Sequence, residues 1–350
     1  MRYLPRKASF VRPASANEKR LLLNSYIMSV PDVLVTGATG NVGGACARFL
    51  LAKGATVRCL VRDADGKKAH ELRELGAEIS VGDFSDMTSL TKAVEGVAAA
   101  FLACSNQPEQ VALEKNFISA MAAGCLGRSG KSYLVKLSTC GCPTYCSHDS
   151  AIEYGRFHAA IEAALEQTAD LEPNLEWTVL QPNDFMQNHA ADIFGTLPSK
   201  VLAYPRTAEQ LVSGRARIVD TRDVGEIAAK LILLGDRSAH HARKYHVCGP
   251  VGWSVQELAG LYEKELGLPG SAITCVADMS ESAFAEGLEQ NAGFPRWLAV
   301  AVARNHIFWA EGKLDYGSSD AVVALHPTPR TMEAWVKEHA PLVSFSSQPA

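Results

Sequence analysis

Gly37, Gly40 and Gly43 follow the aliphatic run Val33-Leu34-Val35 and precede a helical pattern that closes at Gly54. Strand, glycine turn and helix arrive in the order needed to hold a diphosphate through backbone alone. The first glycine takes a tight turn without a Cβ penalty, the second lets amides approach a pyrophosphate, and the third lets helix pack on strand. The positive end of the following helix then faces the phosphates. Gly37, Thr39, Gly40, Asn41, Val42 and Gly43 are therefore the expected diphosphate contacts. A bare glycine triplet is a weak signal, but this one has both its strand and its helix.

The end of the second strand decides which dinucleotide fits, because an arginine there can fork onto a 2′-phosphate while a carboxylate favours a free ribose 2′-OH. Arg62 comes first, with Lys67 and Lys68 nearby, so NADP(H) is the preferred cofactor. Asp63 comes next and keeps NAD(H) open, as the ribose acceptor. Gly82-Asp83-Phe84 closes the third strand at the same carboxyl edge, where Asp83 reads either as an acceptor for the adenine amino group or as a helix cap. Ala103-Cys104-Ser105 and Ser138-Thr139 end the next two strands and should line the ribose and nicotinamide. Gly130-Lys131-Ser132 imitates the end of an NTPase phosphate loop, but Cys125 stands where its first glycine is needed.

The elements that must carry these residues alternate. Strands are expected at 33–35, 56–61, 78–81, 97–103, 133–137 and 177–180. Helices are expected at 67–75, from an Asp86 cap to 95, at 110–123 and at 152–167. Such alternation implies right-handed crossovers and an α/β fold with a doubly wound parallel sheet of the Rossmann type. The C-terminal half reads as smaller and less regular, with no internal repeat.

With 350 residues, 47% of them hydrophobic, the chain can bury a full core, and a formal net charge of −4 gives no reason to expect a nucleic-acid partner. No apolar run reaches the roughly 18 residues of a membrane span. Nine cysteines, an odd count mostly within core-like runs, argue for reduced thiols and an intracellular, cytoplasmic home. The cluster Cys140, Cys142 and Cys146 lacks a second ligand pair, so no metal site is expected. Residues 1–30 are set apart: Arg2, Arg6, Lys7, Arg12, Lys19 and Arg20 face the single acid Glu18. That composition suits a transit peptide for a mitochondrion or plastid. It equally suits an unstructured or untranslated extension ahead of Met28.

The sequence resembles the NmrA-like group of atypical short-chain dehydrogenase/reductases. The resemblance runs from about Val33 to Val343 and is carried by Thr36-Gly-Ala-Thr-Gly-Asn-Val-Gly43, Arg62, Gly82-Asp83, Trp177-Thr-Val-Leu-Gln-Pro182, Phe185-Met-Gln-Asn188, Asp220 to Val224 and Tyr245 to Pro250. It implies one NAD(P)-binding domain over 31–343, a substrate lobe built mainly from 183–343, and a tail at 344–350. It also implies an NADP site that includes Pro182, and a pocket near Asn183, Phe185 and Asn188 for a small-molecule substrate. Helix capping and core packing are the competing roles for those three residues. The wider superfamily uses a tyrosine and a lysine four residues on, the lysine lowering the tyrosine's pKa. This chain instead has Tyr154 and His158, with Glu162 one turn further. Either Tyr154 and His158 relay a proton in modified form, or His158 contacts the ribose or anchors its helix and the acceptor needs little acid help. Quinone-, dye- or enone-like acceptors suit the second case. The expected activity is hydride transfer from NADPH to such a conjugated or aromatic acceptor; the alternative is a redox sensor that binds NADP(H) and acts through a protein partner.

Overall fold

The computed structural model describes residues 33–125 and 130–345; the expected N-terminal extension and the end of the tail lie outside them. Strand β1 (Val33–Val35) is buried at every position, as a central parallel strand covered on both faces must be. Its side chains alternate between layers: Val33 and Val35 join one core cluster and Leu34 the other. Around it lie β2 (Val57–Val61), β3 (Glu78–Val81), β4 (Ala99–Leu102), β5 (Ser132–Leu137), β6 (Leu175–Pro182) and β8 (Arg243–Val247), in the order β3-β2-β1-β4-β5-β6-β8, all parallel. The order reverses between β1 and β4, the switch point where open α/β sheets bind ligands.

Helices α1 (Asn41–Ala52), α2 (Lys67–Glu74) and α7 (Thr221–Leu233) cover one face. The other face is covered by α3 (Met87–Val94), α4 (Gln110–Cys125) and α5 (Glu153–Leu171). The expected cap of α3 is present, the Asp86 carboxylate accepting from Thr88 N at 2.9 Å.

The C-terminal half departs from its irregular reading. It supplies α7 and β8 to the main sheet, then folds α8 (Val255–Glu265), α9 (Glu281–Ala292), α10 (Arg296–Ala310), α11 (Asp320–Leu325) and α12 (Met332–His339) beside the small parallel pair β7 (Val201–Ala203) and β9 (Thr274–Val276). A third core cluster holds this lobe together around Trp309, Trp335 and Tyr262. One signal was readable in advance. Ser254 and Glu257 form a capping box at the start of α8, the S-x-x-E spacing that marks a helix entry.

The glycine turn is fixed from below by Thr36. Its amide donates to Phe101 O at 3.0 Å, and its hydroxyl accepts from Ala103 N at 2.8 Å, so the end of β1 is tied to the end of β4. Gly37 then turns with φ of +59°, a left-handed geometry that suits glycine. A Cβ on Gly43 would lie 2.3 Å from Gly37 O, so helix and turn touch backbone to backbone. Gly43→Ala is therefore expected to cost about 1–3 kcal/mol in urea unfolding, by overpacking. A variant as stable as its parent would contradict so close an approach.

Candidate functional site

Helix α1 begins at Asn41, with Gly40 as its cap residue, no side chain capping it and no acid in its first turn. Its leading amides are thus free for an anion, and Thr39, Gly40 and Asn41 are exposed beside them. Lys68 Nζ donates to Thr39 O at 2.9 Å and sets a positive charge against the turn. A diphosphate fits this cradle on two grounds: the backbone is bare where it must approach, and the nearby charge is positive.

Arg62, just past β2, is exposed and makes no side-chain hydrogen bond or ion pair among the described residues, whereas the Asp63 carboxylate accepts from Asp65 N at 2.9 Å and shapes the loop into α2. The arginine is the freer of the two to meet a nucleotide. Asp83 accepts from Ser85 N at 2.8 Å and Ser85 Oγ at 2.6 Å; those hydrogen bonds, helped by Arg62, hold its carboxyl below the ordinary range. It thereby stiffens the loop that Phe84 continues, the Phe84 ring standing edge-on to Phe117 at 5.7 Å.

Beyond β5 and β6 the chain is knotted around Glu162, a buried acid on α5. Its carboxylate accepts from the Ser138 hydroxyl, from Gln181 Nε2 at 3.1 Å and from the Cys146 thiol at 3.4 Å, and it pairs with Lys244 at 2.8 Å. Burial alone would push this carboxyl up, but Lys244, Ser138 and Gln181 outweigh it and hold it down. Ser138 is thus brought to the carboxyl edge with its hydroxyl already engaged.

The structure puts Tyr154 and His158 on one helix but gives them different partners. The Tyr145 hydroxyl lies 2.7 Å from the Tyr154 hydroxyl and donates to Asn305 Oδ1 at 2.8 Å. Tyr145 has one hydroxyl hydrogen. Tyr154 must therefore be the donor to Tyr145, and its proton points along a chain that ends in α10. Burial pushes the Tyr154 phenol far above its usual range. His158, also buried, has Nδ1 3.2 Å from Lys136 Nζ and Nε2 3.3 Å from Gln110. Lys136 is itself fully buried and paired with Glu114 at 2.8 Å.

A lysine therefore does approach α5, from strand β5 and not from the helix. Sequence reading missed it, and missed Tyr145. A lone charge inside the apolar run Tyr133-Leu-Val-Lys136-Leu was the available signal for the first; Tyr145, in a loop without periodicity, offered none.

Of the expected substrate residues, Asn183 is buried, donating to Leu314 O at 2.8 Å. Asn188 is exposed and donates to Asp184 Oδ1 at 2.7 Å. Phe185 packs partly buried and bridges to Val219, and Pro182 ends β6 in register with Val247. A cavity of about 320 Å³ lies further along this edge, lined by Arg217, Val219, Cys248, Ser318 and His326 among others. None of its lining residues comes from the glycine turn. Beside it, Asp223, Glu226 and His326 come within ligand distance of one another, but Arg330 binds both acids and Lys230 lies 3.0 Å from His326 Nδ1. That group is an ion-pair network with its charges already met.

The parallel sheet with its reversal above a glycine turn defines a Rossmann nucleotide-binding protein, and comparison with known proteins narrows the class. Residues 31–127 match the model of the NmrA-like family. The chain is 26% identical over 318 residues to an NAD(P)H azoreductase of Xenophilus azovorans, covering 88% of this chain and 98% of the relative. An NADPH-dependent quinone oxidoreductase of Escherichia coli, solved with NADPH, shares the fold with a TM-score of 0.72 and 22% identity, over 88% of this chain and 99% of that one. NmrA, a negative transcriptional regulator solved with NADP, shares it with a TM-score of 0.71 and 14% identity, over 90% and 97%. Among the described residues, no helix is long and apolar enough to cross a membrane.

The His158 surroundings make a stability prediction. Burial, then the Lys136 charge, holds the imidazole well below its ordinary pKa, so the folded protein keeps it neutral. An unfolded chain takes up that proton below about pH 6.5, so stability must fall as pH drops through this value. His158→Gln should reduce the loss by up to about 1.4 kcal/mol per pH unit, read from urea midpoints at pH 7.5 and 5. An unchanged slope would show that His158 is not held neutral in the fold.

Proposed function

We propose that this protein is an NADPH-dependent oxidoreductase that passes hydride to a small conjugated acceptor of the quinone, azo or triphenylmethane-dye kind. The observation that carries the reading is the pairing of a bare glycine cradle with an unpaired Arg62 at the end of β2. When bound, the dinucleotide supplies the hydride. The Thr39 to Val42 backbone grips its diphosphate, and Arg62 with Lys68 favours the form bearing an extra phosphate. Asn183, Phe185 and Asn188 frame the acceptor's side from the segment after β6. Relatives named for azo and quinone reduction support the acceptor class.

The proton inventory supports the same class. Tyr154 donates inward to Tyr145 and His158 is locked against Lys136, so neither presents a free acid to a nascent alkoxide. Acceptors that delocalise charge after hydride capture have least need of one. Both residues then serve as positioning groups: Tyr154 ties α5 to the lobe, and His158 ties α5 to β5.

The same sequestered protons favour a second reading, a nucleotide-binding sensor that reports redox state to a protein partner. Steady NADPH oxidation with any member of a panel of quinones, azo dyes and triphenylmethane dyes supports the enzyme; nucleotide binding with no turnover across the panel overturns it. Within the enzyme reading, Tyr154→Phe should lower kcat by less than about 10-fold, against the roughly 10²–10⁴-fold expected on losing a general acid. A loss in that higher range, with KM unchanged, would restore tyrosine to the mechanism.

A further inference from the structure

The C-terminal lobe contains a buried charge that the nucleotide site does not use. Arg206, shortly after β7, is 3% exposed, yet among the described residues Nε, Nη1 and Nη2 all lack a hydrogen-bond partner. The guanidinium carbon lies 5.3 Å from the Tyr204 ring centre and 4.7 Å from that of Trp309. Aromatic contact of this kind covers the flat faces of a guanidinium and leaves its in-plane N–H groups to other partners. Tyr204 and Cys275, which act on it, carry no charge at neutral pH, and the His189 and His306 imidazoles also feel its charge. Native proteins pair buried charges, because an isolated one pays its full desolvation cost.

The surroundings are also rich in donors and poor in acceptors. The acid at hand, Asp192, is already engaged by His189 Nδ1 at 2.7 Å and by the Tyr204 hydroxyl at 2.5 Å. On the far side of that pair, His189 Nε2 is buried without a partner among the described residues; burial opposes protonation of this ring, but Asp192 outweighs it and raises its pKa, and in the protonated imidazole Nε2 is a donor. His306, with its ring centre 4.7 Å from that of Tyr204 and 5.8 Å from that of Trp309, has a buried, unpartnered Nδ1. Trp335, 6.5 Å from His189 ring to ring, leaves its indole N–H unmet as well. Guanidinium and indole nitrogens can only donate. Water would satisfy the hydrogen bonds but bring no charge.

We propose that the C-terminal lobe binds a small monovalent anion, of halide or formate size, in the plane of the Arg206 guanidinium, with the His189, His306 and Trp335 nitrogens completing its shell. Two facts limit the ligand: one positive charge unpaired among the described residues asks for one negative charge, and the Tyr204 and Trp309 rings pack against the guanidinium at 5.3 Å and 4.7 Å. The anion would join β7, the turn at Met186–His189, α10 and α12, so its binding should be read in the stability of the lobe.

Thermal unfolding in increasing chloride, at ionic strength matched with bulky gluconate, should show a saturable rise of several degrees for the full chain, because a ligand that binds only the folded state stabilises it. Arg206→Met should lose that rise. Equal midpoints in chloride and gluconate, the result if water alone fills the space, would overturn the proposal. So would an undiminished rise in the variant. Should Arg206→Met fail to fold, wild-type crystals soaked in bromide decide the matter: an anomalous peak within hydrogen-bond reach of Arg206 is expected, and its absence refutes the site.

Discussion

The rest of the site depends on the attachment of Thr36 to β4. A glycine turn is permissive, and permissive backbone aims its amides in many directions. Here the Thr36 hydroxyl and amide bind the ends of β4 at Phe101 and Ala103, so the turn starts from a fixed height and direction. The contact of Gly43 with Gly37 O fixes where it ends, and helix α1 follows. Everything that a nucleotide would meet is measured from this corner, including Arg62 one strand away and Ser138 two strands away on the other side.

A second constraint holds the far half of the site. Glu162 gathers the ends of β5 and β6, and through Lys244 the edge strand β8, onto α5. Tyr154, Tyr145 and Asn305 then carry α5 to α10. These are satisfied buried groups, costly to break singly, and they leave little freedom for the segment that would frame an acceptor. The lysine that superfamily chemistry would place on α5 has its charge replaced in space by Lys136, but that charge is matched by Glu114.

Much of the nucleotide half was legible in the sequence, because its rules are local. Val33-Leu34-Val35 is a buried strand by composition, Gly37 to Gly43 a turn by spacing, and Asp86 a cap by position. The likeness to the NmrA-like family model, which matches residues 31–127, was visible in those motifs too. The C-terminal half was not, since its strand β8 pairs with a partner about sixty residues earlier. Nor could spacing reveal that Tyr154 and His158, neighbours on a helix, serve separate networks: the partners Tyr145, Asn305, Gln110 and Lys136 come from four other stretches of chain. Nor did spacing show that Asn188 is exposed and held by Asp184.

The central claim is that a backbone cradle at Thr39 to Val42 holds a dinucleotide whose extra phosphate is met by Arg62. Calorimetric titration of NADP and NAD into the wild-type protein and Arg62→Ala tests it most directly. The account requires tighter binding of NADP than of NAD by the wild type, and a loss of about 10–100-fold for NADP alone in the variant, as befits a charged hydrogen-bonded pair. Equal affinities in both proteins, or no binding of either nucleotide, would contradict it.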